Sequence, residues 1–125
     1  MSLPNKVKLH RGSKTLELQY PDGRGFHLRA EYLRVYSPSA EVRGHGLGQE
    51  VLQWGKKNVA LSDVQAAGKY ALKLVFDDGH DSGLYSWKYL LELAETEEQK
   101  WQDYLDRLAA AGLDRDPDIS TIKLL

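Results

Sequence analysis

The stretch at residues 68–91, GKYALKLVFDDGHDSGLYSWKYLL, constrains the fold of this chain more than any other. Its alternation with a period of two predicts a strand with one well-buried face, formed by Tyr70, Leu72, Leu74 and Phe76. The Asp-Asp-Gly at residues 77–79 supplies turn chemistry, because aspartate bonds nearby backbone and glycine accepts a positive φ. A short return over residues 80–84 then predicts a hairpin in which His80, Ser82 and Leu84 share a face.

A helix is predicted after this hairpin. Ser86 is a candidate N-cap, since its hydroxyl can accept a free backbone N–H of the first turn. Apolar residues then keep helical spacing as far as Leu108, and Gly112 is a natural stop. Two readings stay open: one helix over residues 87–111, or a break near Glu95, because Thr96 with the glutamine three residues later fits a capping box.

The N-terminal part predicts an antiparallel meander. Residues 6–10, 14–20 and 25–29 alternate as strands, with Phe26 and Leu28 inward in the third, and the breaks between them have turn composition. A short helix follows over residues 30–36, and Pro38 helps to end it. Residues 59–64 predict a further strand. Residues 40–57 lack a clear period, so we expect a functional or mobile loop with few buried contacts.

These elements predict an α+β fold in which an antiparallel β-meander and a second hairpin pack with a short helix and a long C-terminal helix. A chain of 125 residues is one domain by length. We expect the domain over residues 1–112 and an extended tail over residues 113–125, whose end is apolar enough to dock on another surface.

Composition excludes several classes of protein. There are no cysteines, so disulfides, thiolate zinc sites and cysteine-held Fe–S clusters within the chain are excluded. The formal net charge of −1 gives no overall basic field to attract nucleic acid. No apolar run approaches a membrane span, and the N-terminus lacks the apolar region of a signal peptide. We therefore expect a cytoplasmic protein.

The polar turn holds the densest group of side chains that could perform chemistry. His80 beside Asp77, Asp78 and Asp81 could bind a divalent metal, but the more common alternative is a turn whose aspartates bond their own backbone while His80 packs against Trp87. Consecutive His80, Asp81 and Ser82 do not make a hydrolase triad, which needs groups from separate elements. The glycines at residues 44–48 follow no strand and carry no G-K-[ST], so they do not predict a nucleotide site.

Several of these residues together resemble a known family. Leu33-Arg34, the segment SPSAEV at residues 37–42, Gly44-His45-Gly46 and the pattern D-G-H-x-S-G-x-Y-x-W are similar to the gamma-butyrobetaine hydroxylase-like N-terminal domain. The similarity covers residues 9–93. In the full hydroxylases this domain precedes a 2-oxoglutarate-dependent oxygenase domain, for which the present sequence has no length left. The resemblance therefore implies an accessory or binding module without hydroxylase activity.

The resemblance also implies a position for a zinc ion. The hydroxylase version of the domain holds zinc with three cysteines and a histidine, which match Ser37, Ser39, Val42 and His80 of this chain. Serine hydroxyls are poor zinc ligands and valine is none, so we expect this zinc site to be absent. The family also occurs fused to Mrp-type Fe–S carrier ATPases, which implies a protein partner of that kind.

Our first hypothesis is a small, non-catalytic binding module with a role in Fe–S or metalloprotein maturation, no cofactor and no catalytic residues. Its candidate partner-binding residues are Arg34, Arg43, His45, Asp78, His80 and Ser82. The alternative is a metal-binding protein or small metalloenzyme that holds iron or zinc with His80, His45, Asp78 and Asp81. A third hypothesis is a structural subunit that dimerises through the aromatic face of its helix; the sequence does not predict the oligomeric state.

Overall fold

Two three-stranded antiparallel sheets and four helices make up the computed structural model, which describes residues 3–44 and 50–118. The first sheet has the order β1-β2-β3, with β1 at Lys6–His10, β2 at Thr15–Gln19 and β3 at Gly25–Arg29. The second has the order β4-β5-β6, with β4 at Leu61–Ala67, β5 at Ala71–Phe76 and β6 at Leu84–Ser86. The predicted α+β class and both β units are confirmed.

The meander forms where the alternation predicted it. Leu16 of β2 lies opposite Leu9 and Leu28, and Leu18 lies opposite Val7 and Phe26. Leu16, Leu18 and Leu28 are completely buried, while Phe26 is only partly buried. At the turn between β2 and β3 the carboxylate of Asp22 accepts from the backbone N–H of Arg24. This local bond stabilises the tight turn that Pro21-Asp22-Gly23 predicted.

The second sheet differs from the prediction at its ends. Leu72, Leu74 and Phe76 are buried as expected, but Tyr70 is 72% exposed because it lies in the turn before β5 begins. Strand β4 begins and ends later than residues 59–64, because its pairing with β5 continues as far as Ala67 opposite Ala71. Gly68, with φ 63°, makes the turn that follows.

The return of the hairpin is also later than predicted. On the returning side of the hairpin, pairing with β5 is limited to Leu84–Ser86. His80 is buried whereas Leu84 is 55% exposed, so the prediction that these two residues share a face was wrong. The backbone first closes a tight turn, in which Phe76 N–H donates to the carbonyl of His80 at 3.0 Å. The chain between this turn and β6 then runs irregularly, which ends the alternation.

The helices settle the open choice. α1 covers Ala30–Val35, α2 Ala40–Arg43, α3 Trp87–Glu95 and α4 Glu97–Ala111. The break falls at Thr96, next to Glu95, but the capping box is wrong: the Thr96 hydroxyl donates to the Glu92 carbonyl at 2.6 Å. The Ser86 cap is confirmed, since its hydroxyl accepts from Tyr89 N–H at 3.1 Å, and so is the stop at Gly112, with φ 69°.

The region predicted as a loop at residues 40–57 carries more structure than expected. Its first turn is α2, which Ser39 caps by accepting the N–H of Glu41, and Val42 is buried. Residues 45–49, including His45, lie outside the described residues. Farther along, Gly55 N–H and Lys57 N–H donate to the carbonyls of Asp114 and Arg115, so the start of the tail pairs with this region. The apolar end of the tail at residues 119–125 also lies outside the described part.

The core lies between the two sheets and the helices. Among the described residues, sixteen buried side chains form one cluster, to which α3 contributes Leu90, Leu93 and Ala94. Buried tyrosines join elements by donating to carbonyls, as Tyr32 does to Leu93 at 2.7 Å. A smaller cluster of Val35, Tyr104 and Leu108 holds α4 against α1. Within residues 3–44 and 50–118, no helix has the length and apolar character needed to cross a membrane.

The burial of side chains in β5 predicts how much stability is lost when one of them is truncated. Leu74 is 0% exposed, so Leu74→Ala should lower the free energy of unfolding by about 2–5 kcal/mol, measured by urea denaturation. The matched control is Leu84→Ala in the neighbouring β6: because Leu84 is 55% exposed, the change should stay within about 0.5 kcal/mol. Equal losses for the two variants would contradict the placement of the core.

Candidate functional site

The carboxylate of Asp78 ties the turn after β5 to two other parts of the chain. Its Oδ2 atom lies 2.9 Å from Nε of Arg34 in α1 and 2.7 Å from Nζ of Lys56. Its Oδ1 atom accepts the backbone N–H of His80 at 3.2 Å. Arg34 is buried and also donates to the side chain of Gln53 at 3.0 Å. One carboxylate therefore fixes the turn, α1 and the segment around residues 53–56 relative to one another.

His80 is buried with both ring nitrogens occupied. Nε2 lies 2.8 Å from the hydroxyl of Ser37, and Nδ1 lies 3.3 Å from a carboxylate oxygen of Glu41. A neutral ring protonated on Nδ1 satisfies both contacts, since it donates to Glu41 and accepts from Ser37. The ring packs beside Phe76, with 6.0 Å between centroids. The predicted packing on Trp87 is wrong, because Trp87 donates to the Lys69 carbonyl beside the β4–β5 turn.

Two more hydroxyls complete the group. Ser39 and Ser82 lie 2.8 Å apart, oxygen to oxygen, so Ser82 contacts the N-cap of α2. Gly83 is required beside them, because a Cβ at that position would come within 2.6 Å of the Ser37 oxygen. We call Arg34, Ser37, Ser39, Asp78, His80 and Ser82, together with Lys56 and Glu41, the turn lock.

The charges in the turn lock follow from its geometry. Burial raises the pKa of Asp78, but Lys56, the His80 N–H and Arg34 outweigh it and hold that pKa at about 2. Burial lowers the pKa of His80, and the Arg34 charge lowers it further, against opposing effects of Glu41 and Asp78. The turn lock therefore contains an ionised Asp78 and a neutral His80 near neutral pH.

Ser37, His80 and Glu41 form a hydrogen-bonded chain with the connectivity of a serine-hydrolase triad, which the sequence did not predict. Two observations speak for a structural role instead. The Ser37 side chain is only 1% exposed, and its oxygen also accepts the backbone N–H of Ser39 at 3.2 Å. An oxygen that is this deeply buried and already hydrogen-bonded favours a structural role, so we assign it to the turn lock.

The zinc position implied by the resemblance does not fit a zinc ion. Ser37, Ser39 and His80 do come together, but through hydroxyls that are committed to His80, Ser82 and backbone N–H groups. Val42, at the remaining position, is buried and apolar. Without a thiolate, the group offers one imidazole nitrogen as a zinc ligand, and one is too few.

The alternative ligand set around His80 is only partly brought together. Asp78 already faces two cationic side chains, and the Asp81 carboxylate is exposed and lies 4.0 Å from Nζ of Lys73. His45 lies outside the described residues. Within the described ranges, the group of three side chains with metal-binding spacing lies instead on the meander.

A cavity of about 500 Å³ adjoins the turn lock. Its wall is shared with the turn lock at Ser37, and Gln53 of the same wall bonds Arg34. Its lining is mainly apolar and aromatic with charged groups among it, and comprises Val35, Tyr36, Val42, Leu52, Tyr89 and Tyr104 with Arg43, Glu50 and Arg107.

The tyrosines of the cavity are held in place by the backbone. Tyr89 donates to the Tyr36 carbonyl at 2.6 Å, and Tyr104 donates to the Gln53 carbonyl at 2.8 Å. Arg43 lies over the Tyr89 ring at 4.9 Å. Of the predicted partner-binding residues, Arg34, Asp78, His80 and Ser82 therefore meet in the turn lock, whereas Arg43 belongs to the cavity.

Sequence reasoning missed the cavity. The helical spacing over residues 87–108 predicts the helices that carry Tyr89 and Tyr104, but not the cavity that these two side chains line. A usable signal was present in Val51 and Trp54, large apolar residues within a glycine-rich and polar segment. In the structure these two side chains are 53% and 44% exposed.

His80 should contribute to stability in a pH-dependent way. We expect His80→Ala to lower the free energy of unfolding by about 1–2 kcal/mol near neutral pH. The pKa of His80 in the folded protein lies below its ordinary 6.5, so below pH 6.5 the unfolded chain binds the proton more readily. The contribution of neutral His80 is thus present above pH 6.5 and is lost as the pH falls. Urea denaturation at several pH values should show the gap between wild type and variant narrowing on acidification; a widening gap would refute the assignment.

The serines should not hold zinc. In protein purified without a histidine tag and dialysed, metal analysis should give the same zinc content for wild type and for Ser37→Ala/Ser39→Ala, because neither hydroxyl is a competent ligand. Stoichiometric zinc that disappears in the double variant, with the fold retained by circular dichroism, would show the opposite.

Comparison with known proteins agrees with this architecture. The family model described as gamma-butyrobetaine hydroxylase-like, N-terminal, matches residues 7–91. No curated protein matches the chain. One solution NMR structure is 58% identical, with 94% of this chain and 93% of that chain covered and a TM-score of 0.83. A second is 50% identical, with coverage of 94% and 87% and a TM-score of 0.79.

A crystal structure from Acidithiobacillus ferrooxidans shares the fold as well. It is of a protein with unknown function from the DUF971 family and is 32% identical, with 73% of this chain and 91% of that chain covered and a TM-score of 0.61. The family match covers more than half of the present chain, and it includes both sheets and the turn lock. The chain belongs to the gamma-butyrobetaine hydroxylase-like N-terminal domain family.

Proposed function

We propose that this protein is a non-catalytic binding module that receives a segment of a partner protein at the cavity beside the turn lock. The observation that carries the proposal is the combination of an apolar cavity of about 500 Å³ with exposed apolar residues in the segment that lines it. Val51 lines the cavity and is 53% exposed, and Trp54, which directly follows the lining residue Gln53, is 44% exposed. Aromatic and aliphatic side chains that remain exposed beside a cavity are typical of protein-binding surfaces.

Charge indicates the chemistry of the bound segment. Arg43 contacts the Tyr89 ring but has no carboxylate partner among the described residues, whereas Arg107 is paired with Asp103 at 3.3 Å. Arginine is suited to bind a carboxylate at an interface through two parallel hydrogen bonds. We therefore expect the partner segment to place an apolar side chain in the cavity and an acidic side chain at Arg43.

The turn lock has a supporting role in this proposal. The side chains of the turn lock are hydrogen-bonded to one another, so they offer few free groups for catalysis. The same bonds fix Ser37 and Gln53 in the cavity wall. A rigid wall lowers the entropic cost of binding, because fewer side chains must be ordered when the partner arrives. This arrangement favours binding over catalysis.

An Mrp-type Fe–S carrier ATPase is the partner that we propose, in the cytoplasm and as part of Fe–S or metalloprotein maturation. Support comes from family membership, since the family occurs fused to such ATPases. A metal-binding protein or metalloenzyme with iron or zinc at His80 has less support, because the Asp78 carboxylate is neutralised by Arg34 and Lys56 rather than free to coordinate an ion.

Substitutions at the cavity test the proposal. With the purified ATPase from the same organism as the probe, Trp54→Ala and Arg43→Ala should each weaken binding about tenfold or more in calorimetry, while the melting temperature stays nearly unchanged. The matched control for Trp54, which directly follows the cavity-lining Gln53, is Tyr70→Ala: Tyr70 is an exposed aromatic residue in the turn between β4 and β5, so binding should be unaffected.

Two results would contradict the proposal. Binding of the ATPase that is insensitive to both cavity variants would place the interface elsewhere, for example on the acidic face of α3 and α4 with Glu92, Glu95 and Glu98. Absence of binding to the ATPase would reject that partner.

A further inference from the structure

The meander brings two histidines and a glutamate together on the face opposite the core. Glu17 of β2 lies opposite His27 of β3 and opposite Lys8 of β1, and His10 lies two residues beyond Lys8, on the same face of β1. Leu16 and Leu18, the neighbours of Glu17 in sequence, point to the core and are completely buried. The three polar side chains therefore share the outer face, each on a different strand of one sheet.

Their potential ligand atoms are close enough to share one ion. Nε2 of His10 lies 2.7 Å from Oε1 of Glu17, and the rings of His10 and His27 are 5.4 Å apart between centroids. One ligand atom from each of the three residues lies within 4.8 Å of the others. Ligands about 2.0–2.1 Å from a tetrahedral zinc ion are separated by about 3.3 Å. Because His27 is exposed, a side-chain rotation without backbone movement can supply the difference.

The glutamate is built like an anchored ligand. Glu17 is only 7% exposed although it lies on the outer face, and its second oxygen accepts a hydrogen bond from the side chain of Gln19. A carboxylate held by an outer hydrogen bond keeps its orientation when its other oxygen coordinates a metal. Three ligands on adjacent strands of one sheet are also positioned by the backbone ladder rather than by a loop.

An ordinary ion pair is the competing explanation, and it leaves one feature unexplained. It accounts for His10 with Glu17, but not for the ring nitrogens of His27, which have no hydrogen-bond partner among the described residues. A cation between the three groups would satisfy both imidazoles and the buried carboxylate. The charges of Lys6 and Lys8 on β1 oppose it and limit its affinity.

We propose that His10, Glu17 and His27 bind a divalent transition-metal ion of the zinc type. Two imidazoles and one carboxylate suit such ions, whereas calcium and magnesium prefer oxygen ligands alone. Three protein ligands leave a fourth position for water or for a donor from another molecule. This site is separate from the zinc position implied by the family resemblance, and it shares no residue with the turn lock or with the lining of the cavity.

Titration with Zn²⁺ and Co²⁺ tests the site in protein purified without a histidine tag. We expect one zinc ion per chain by calorimetry, and an absorption band in the visible range when cobalt is bound. His27→Gln should weaken zinc binding at least tenfold and remove the zinc-dependent rise in melting temperature. Because His27 is exposed, the metal-free variant should melt as the wild type does.

A matched variant separates this site from the alternative at His80. His45→Gln removes a histidine of the alternative ligand set and should leave the zinc affinity unchanged. Glu17→Gln, which keeps the size of the side chain, should weaken binding as His27→Gln does. Zinc binding that persists in both site variants, or is lost in His45→Gln, would overturn the proposal, and so would a wild-type protein that binds no zinc at a tenfold molar excess.

Discussion

The arrangement of the cavity region depends on one partly buried carboxylate, that of Asp78, whose side chain is 24% exposed. Asp78 accepts from Arg34 and Lys56 through one oxygen and from the His80 backbone through the other. A buried arginine without such a partner would be costly, because removing one member of a buried pair leaves the other charge uncompensated. A single side chain therefore couples three parts of the chain: the position of α1, the conformation of the turn after β5 and the course of the segment at residues 53–56.

This coupling explains why a polar cluster can support an apolar cavity. The polar side chains of the turn lock form hydrogen bonds with one another. These bonds stabilise the neighbouring wall of the cavity at Ser37 and Gln53. Tyr89 and Tyr104 also line the cavity, and because their hydroxyls donate to the backbone carbonyls of Tyr36 and Gln53, their rings are held in place. Polar interactions thus hold the shape, while apolar surface remains available for binding.

The sequence predicted local structure better than the site. Strands β1 and β3, the cap at Ser86 and the stop at Gly112 follow from alternation and from single-residue preferences, which act over a few positions. The predictions for Tyr70 and for the returning side of the hairpin were wrong, because pairing with a neighbouring strand determines where a strand ends and periodicity carries no information on that pairing.

The pairing of Arg34 with Asp78 spans 44 positions, and that of Arg115 with Glu31 spans 84, so neither leaves a local pattern. The grouping of His10, Glu17 and His27 follows from the strand register and was open to prediction once the meander had been drawn.

At the position where the resemblance implies a zinc ion, a hydroxyl network at Ser37, Ser39 and Ser82 connects α2 to the chain after β5. Structural zinc can contribute about 10–16 kcal/mol to folding in small domains, whereas a neutral hydrogen bond contributes about 1 kcal/mol. A few hydroxyl bonds cannot replace the ion in energy, so the stability must come from elsewhere. The core of sixteen buried residues, to which both sheets and α3 contribute, is the source available in this chain. Since the core carries the stability, the turn lock needs only to select one conformation of the turn. Ser37, Ser39 and His80 then serve to fix the conformation of the turn, and the strength of their hydrogen bonds contributes little to the stability of the fold.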